Sequence, residues 1–216
     1  RPVFYATGGY GSDAQWRGAA GFTAIENQTT VSFSAGTRAV DAPSATNERA
    51  ACHDPDRDPY ENAFANAQVV MRQWQGEVLT ISGFVSRGKT HFDGCPDAQG
   101  RHADDRNTQT LSGVRLSSFM FFTPFWSSRL TVGEGRDEIA IEGGAPSRFE
   151  TRQFLGTWVN EFGTQLGTVM AGLETLRQEV SASTAFTQNR RDTNSAFVAL
   201  KETWRGQRLE ASARRD

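Results

Sequence analysis

Residues 155–180 read LGTWVNEFGTQLGTVMAGLETLRQEV. In this stretch Leu155, Val159, Phe162, Leu166, Val169, Leu173, Leu176 and Val180 recur at alternating steps of four and three. Such a heptad ladder predicts a long helix with one narrow apolar seam, the pattern that seeks another helix. Four glycines, Gly156, Gly163, Gly167 and Gly172, each oppose that helix by about 1 kcal/mol relative to alanine. Gly156 and Gly163 fall beside the seam, where a small residue lets two backbones approach. A second helix is expected over about 190–213, with Phe197, Leu200 and Trp204 as a short stripe amid charges. The seam therefore predicts association, with the chain itself or a second subunit, through the C-terminal helices.

Ahead of the ladder the chain reads as β-rich, with one helix. Thr30-Val31-Ser32-Phe33-Ser34 alternates as a half-buried strand. Asp58-Pro59, with Glu61 three residues after the aspartate, has the form of a helix start with a capping box. Tyr60, Phe64, Ala67, Met71 and Trp74 then recur on one helical face up to Gly76, predicting a packed helix over 59–75. Further strands are expected at 78–85 and 114–122. Leu130 with Val132, and Ile139 with Ile141, predict two more, joined as a hairpin at Gly133 and Gly135. Phe119 to Trp126 reads as a buried strand and its exit turn at Pro124. The expected class is α+β: a mostly antiparallel β-rich body with one packed helix, residues 1–150, then a coiled-coil-like pair of long helices, residues 151–216.

Composition narrows the functional classes. The 216 residues carry a net charge of −2 with acids and bases mixed, so no global field recruits nucleic acid or an anionic membrane. No apolar run approaches the roughly 18–20 residues of a spanning helix, so no membrane span is expected. The chain starts at Arg1 rather than Met, as after removal of a leader or trimming of the chain. Two cysteines, Cys52 and Cys95, in a chain rich in Gly, Asn and Thr point to one disulfide and an extracytoplasmic location.

Chemistry is sparsely signalled. His53 adjoins Cys52 and His91 lies four before Cys95, with Asp54, Asp56, Asp93 and Asp97 among them and His102 beyond. A disulfide would bring His53 and His91 into one neighbourhood, where they are candidate acid–base residues of a secreted hydrolase. Asp54, Asp56 and Asp58 alternate as in a calcium loop. However, Pro59 stands where that loop needs glycine and Ala65 where it needs a bidentate acid, so no metal or cofactor is assigned. No nucleophile elbow or phosphate loop is present. The leading expectation is a non-enzymatic structural or binding module in a cell-envelope or particle-like assembly. The segment 28–145, with its strand at 30–34, helix at 59–75, Leu79-Thr80-Ile81-Ser82-Gly83, Asn107, Leu111-Ser112 and Arg115, resembles an OmpA-like peptidoglycan-binding domain. In that resemblance Ser86 stands where the family places its ligand-binding aspartate.

Overall fold

The computed structural model describes residues 1–44, 46–73, 76–95, 104–143, 146–204 and 206–216. It is one antiparallel sheet of eleven strands in which each strand pairs with its neighbours in sequence. The strands are β1 (Val3–Tyr10), β2 (Trp16–Glu26), β3 (Thr29–Pro43), β4 (Arg57–Met71), β5 (Glu77–Asp93), β6 (Asp104–Thr123), β7 (Trp126–Glu142), β8 (Ser147–Thr164), β9 (Gly167–Ala182), β10 (Arg190–Trp204) and β11 (Gln207–Arg215). No helix is found among the described residues, which overturns the α+β class.

The heptad ladder folds as a hairpin. β8 and β9 pair from Phe149↔Ala182 to Thr164↔Gly167, leaving Gln165 and Leu166 as the loop. Gly167, at φ 110°, takes the left-handed conformation there. The Thr164 hydroxyl donates to the Gly167 carbonyl at 2.8 Å and accepts from the Leu166 N–H at 3.2 Å. A ladder step of four keeps a strand residue on the same face, and a step of three moves it to the other. Leu155 and Val159 thus share one face of the sheet with Leu176 and Val180, while Phe162, Val169 and Leu173 lie on the opposite face. No seam survives, and association through C-terminal helices falls with it: 190–204 is β10 and 207–213 belongs to β11.

The expected helix over 59–75 is corrected in the same way. β4 pairs with β3 along Thr29↔Met71 to Pro43↔Arg57 and with β5 along Tyr60↔Thr90 to Met71↔Leu79. Ala63, Ala65 and Ala67 favour helix intrinsically, but they alternate with Asn62, Phe64, Asn66 and Gln68, and this period-2 pattern between two partner strands overrides propensity. Trp74 of that stripe lies outside the described residues. The resemblance to a peptidoglycan-binding domain rested on this helix. Gly133 and Gly135 are interior to β7 rather than a turn, and β8 runs across position 150.

Register separates two faces with different chemistry. Val31, Val69, Ile81, Leu116 and Val132 are directly paired across five strands, forming an apolar row on the outer face. One residue along, Thr23, Ser32, Gln68, Ser82, Arg115 and Gly133 form the matching row on the inner face. Within it the Thr23 and Ser32 hydroxyls are 3.1 Å apart. The apolar face is called outer and the polar face inner. Tyr5, Phe64, Phe84 and Phe197 each lie on the inner face directly opposite a glycine: Gly21, Gly36, Gly113 and Gly172. A methyl on those glycines would sit 2.8, 2.8, 2.9 and 2.4 Å from the respective ring. Glycines at chosen points, each covered by a cross-strand aromatic, permit strong bending without leaving backbone bare. On the outer face, by contrast, a methyl at Gly18 would meet nothing within 4 Å.

The sheet has almost no interior. Among the described residues Ala199, at 9% exposure, is the one buried hydrophobic residue, and no large side chain is fully buried. A water-soluble chain of this length would bury about 70% of its unfolded surface around a core.

The two ends of the sheet also differ. At one end the links are Asn27-Gln28, 72–76, Pro124-Phe125, Gln165-Leu166 and 205–206, four of them only two residues long. At the other they are 11–15, 44–56, 94–103, 143–146 and 183–189. Odd-numbered strands run toward this loop end and even-numbered strands return from it.

Candidate functional site: a three-carboxylate cluster at the loop end

The most specific chemistry gathers where the β3–β4 and β5–β6 loops meet. Cys52 of the first is bonded to Cys95 of the second, with Cα atoms 4.2 Å apart. This bears out the expected disulfide, a bond that persists in oxidising, extracytoplasmic compartments. Asp93, at the end of β5, is the hub. Its side chain is 1% exposed. Its Oδ2 accepts from the Ser44 hydroxyl at 2.8 Å and the Asp54 N–H at 3.2 Å, and lies 3.7 Å from His53 Nδ1. Burial pushes the Asp93 carboxyl up, but Ser44, the Asp54 N–H, Thr46 and His53 together bring it below the ordinary 3.8. Asp93 is therefore held ionised. The stability it confers is complete above that ordinary value and is lost as pH falls through the lower folded one.

The other oxygen of the same carboxylate, Oδ1, is buried without a hydrogen-bond partner. Carboxylate oxygens of Asp56, Asp58 and Asp93 lie within 4.8 Å of one another, and Asp58 is buried at 6% exposure. An ionised oxygen so placed is costly unless something positive meets it. Three carboxylates, Asp56 from the β3–β4 loop and Asp58 and Asp93 from the facing ends of β4 and β5, are the donor set of a hard divalent cation, and their mixed burial suits the loose geometry of calcium better than the strict octahedron of magnesium.

His53 and His91 occupy different surroundings. His53 packs against Ser44 and Asp93, whereas His91 stands on the outer face of β5 opposite Arg106. A catalytic relay needs one imidazole nitrogen on the acid and the other on the nucleophile. Here the same Nδ1 faces both the Ser44 hydroxyl, at 3.4 Å, and Asp93, while Ser44 gives its proton to Asp93 directly. These contacts fasten a loop. His102 and Asp97 lie outside the described residues. Sequence spacing alone left Asp93 out of the Asp56–Asp58 pair. The signal that joins them is Cys95, two residues after Asp93, once it is paired with Cys52.

A second feature is the outer face itself. Near the tight end, Phe122 stacks on Trp126 at 4.4 Å and Trp126 on Phe162 at 5.8 Å. The Trp126 and Trp158 indole N–H groups donate to Asn160 and Ser128 at 3.2 and 2.9 Å. Toward the loop end the same face turns ionic. Arg136 pairs with Glu138 and Glu150, Arg148 with Glu138, Arg152 with Glu150, and Arg177 and Arg190 with Asp192. Arg152, hydrogen-bonded to Glu150, holds that carboxyl below its usual range against the effect of burial, with Arg136 adding to the shift. On the inner face, Asn66, Gln68, Ser82, Arg115, Thr131 and Gln153 line an open cleft of about 610 Å³.

No protein-family model matches the chain, and no curated protein matches it.

Proposed function

We propose that this chain is wall of a transmembrane β-barrel of the outer-membrane type, with its apolar face against lipid and its polar face lining a water-filled lumen. The observation that carries the reading is that, among its described residues, this 216-residue chain has almost no core, while an apolar row, Val31, Val69, Ile81, Leu116 and Val132, crosses the outer face of a long-stranded meander. Membranes admit only helices and closed barrels, because every backbone polar group must be satisfied within the lipid. No helix among the described residues is long and apolar enough to cross; the reading rests on the strands' own pattern. From Phe162 to Arg152 on β8 the strand climbs about 33 Å at ~3.3 Å per residue. At the ~40° tilt of such barrels this is about 25 Å of height, the thickness of their apolar band. The aromatic cluster on β6–β8 at one border, and two-residue links at one end with longer loops at the other, belong to the same pattern. Eleven strands already exceed the eight whose side chains fill a barrel interior. In the bilayer the edges β1 and β11, each with one partner here, must also be paired.

The test is insertion. A variant retaining Trp158 as its one tryptophan, folded into phospholipid vesicles, should be quenched strongly by lipids brominated on the acyl chain. A chain that stays monodisperse in buffer without detergent and shows no quenching would refute the reading.

On the same reading the Asp56–Asp58–Asp93 cluster, at the loop end, binds a divalent cation and fixes two loops into one surface. Calcium binding followed by calorimetry should weaken at least about tenfold in Asp93→Asn, and calcium should raise the thermal stability of the wild type but not of the variant. Equal calcium affinity in the two proteins would show that Asp93 is no ligand.

A further inference from the structure

We infer that the inner face carries a binding site for a sugar monophosphate, with Arg17 and Arg38 taking the phosphate and an uncharged pocket beside them taking the sugar. This rests on the reading of that face as the wall of a water-filled lumen and names a solute for it.

The site follows one row of the sheet. Arg17 pairs with Arg38, Arg38 with Asn62, Asn62 with Gly88 and Gly88 with Gln109, so these residues stand side by side on the inner face from β2 to β6. Like charges directly opposite one another destabilise a sheet. Both arginines are exposed, and neither makes an ion pair among the described residues. Their inner-face neighbours within the strands are Gly9, Ala19, Gly36, Val40 and Asn62, none of them acidic. Arg17 leans over β1, where a methyl at Gly9 would sit 3.0 Å from its Nε. That lean carries it away from Arg38, the direction in which mutual repulsion drives it. An anion between the two reverses the sign of the interaction.

Next to Arg38 a pocket of about 290 Å³ opens, lined by Tyr60, Asn62, Ser86, Gly88, Asn107 and Gln109 among other uncharged residues. Gly88 leaves it room: a methyl there would stand 3.4 Å from Asn62 Nδ2 and 3.7 Å from the Tyr60 ring. The Asn62 amide donates to the Ser86 hydroxyl at 3.0 Å and the Gln109 amide to Asp137 at 3.2 Å, which fixes both carboxamides. Asn107 Oδ1, by contrast, is buried without a hydrogen-bond partner. A buried acceptor left in that state is costly until a donor reaches it.

The two halves together select the ligand. Two planar guanidiniums present two forks of donors. A phosphate monoester carries close to two negative charges at neutral pH and three free oxygens, enough for both forks. A carboxylate has one charge and two oxygens, enough for one. The pocket offers carboxamides, hydroxyls and the Tyr60 ring, which meet the hydroxyls and the apolar face of a sugar. A sugar hydroxyl also supplies the donor that Asn107 Oδ1 lacks. Neighbouring strands lie about 4.8 Å apart, so the step from Asn62 to Arg38 is within the length of one hexose phosphate.

The experiment uses the full chain, folded in detergent micelles and titrated calorimetrically with glucose 6-phosphate, glucose and inorganic phosphate. The wild type should bind the ester more tightly than either fragment. R17Q/R38Q should bind it at least about tenfold less tightly, because its charge-assisted hydrogen bonds are lost. Asn107→Leu should weaken the ester about tenfold and leave inorganic phosphate unchanged, a split that an unfolded variant would not give. Unchanged affinity in R17Q/R38Q, glucose bound as tightly as the ester, or inorganic phosphate bound as tightly as the ester, which would mark a bare anion site, each overturns the assignment. Acyl-chain quenching of Trp158 in vesicles is scored for wild type and R17Q/R38Q in parallel. Absence of quenching in the wild type sinks the membrane reading, whereas quenching without preference for glucose 6-phosphate sinks the site alone.

Discussion

Arginine at Leu116 should destabilise the chain in a bilayer by about 2–4 kcal/mol, and arginine at the next residue, Ser117, by only about 1 kcal/mol. Leu116 lies on the outer face between Ile81 and Val132. A guanidinium there must sit in hydrocarbon or thin the membrane around itself. Ser117 lies on the inner face, which lines the lumen on the proposed reading, and its hydroxyl is 3.1 Å from that of Thr131. Substitution sacrifices that hydrogen bond but leaves the new charge in water. Reversible denaturant titrations in phospholipid vesicles, followed by tryptophan fluorescence, compare the two variants directly. The opposite order of effects would mean that the faces have been assigned the wrong way round. Equal small effects would mean that neither face meets lipid.

Reducing the Cys52–Cys95 bond should lower stability by roughly 4 kcal/mol on the chain-entropy model, since it closes a loop with a sequence separation of 43. It should also weaken calcium binding, because Asp56 and Asp58 reach Asp93 from the other side of that bond. Thermal unfolding with and without reductant, each with and without calcium, separates the two effects. In the reduced protein the stabilisation by calcium should shrink toward zero. If reduction lowers stability and leaves calcium affinity untouched, the disulfide is a tether only and the carboxylates are brought together by the strands.

Parts of this arrangement were legible in the sequence. Thr30 to Ser34, 78–85 and 114–122 alternate apolar and polar residues or carry β-branched runs, and all fall within strands. Pro124 marks the turn that follows β6, and the even cysteine count gave the disulfide. The C-terminal third was not legible as strand. The period-2 signal is diluted there, because small residues such as Ala171 and Gly156 stand on the outer face while Leu155, Leu176 and Phe197 stand on the inner one. Two such diluted strands meeting at Gln165-Leu166 imitate steps of four and three. The glycines were the contrary signal: Gly167 sits at a turn and Gly172 beneath Phe197, places where only glycine fits. The cluster at Asp93 was legible in its parts, yet its assembly depended on bringing two loops together in space.

The contrast between the two ends of the sheet bears on how such a chain can change over generations. Tight links such as Asn27-Gln28 and Gln165-Leu166 fix the register of the strands they join, so an insertion there shifts every side chain beyond it to the wrong face. At the loop end the closure entropy grows only slowly, by about 0.6 kcal/mol for each doubling of loop length. Segments 44–56 and 183–189 can therefore lengthen, shorten or be replaced while the wall stays in register. Diversity should accumulate at one rim of the molecule and constancy at the other, with the Cys52–Cys95 bond limiting how far two of the variable segments can drift apart.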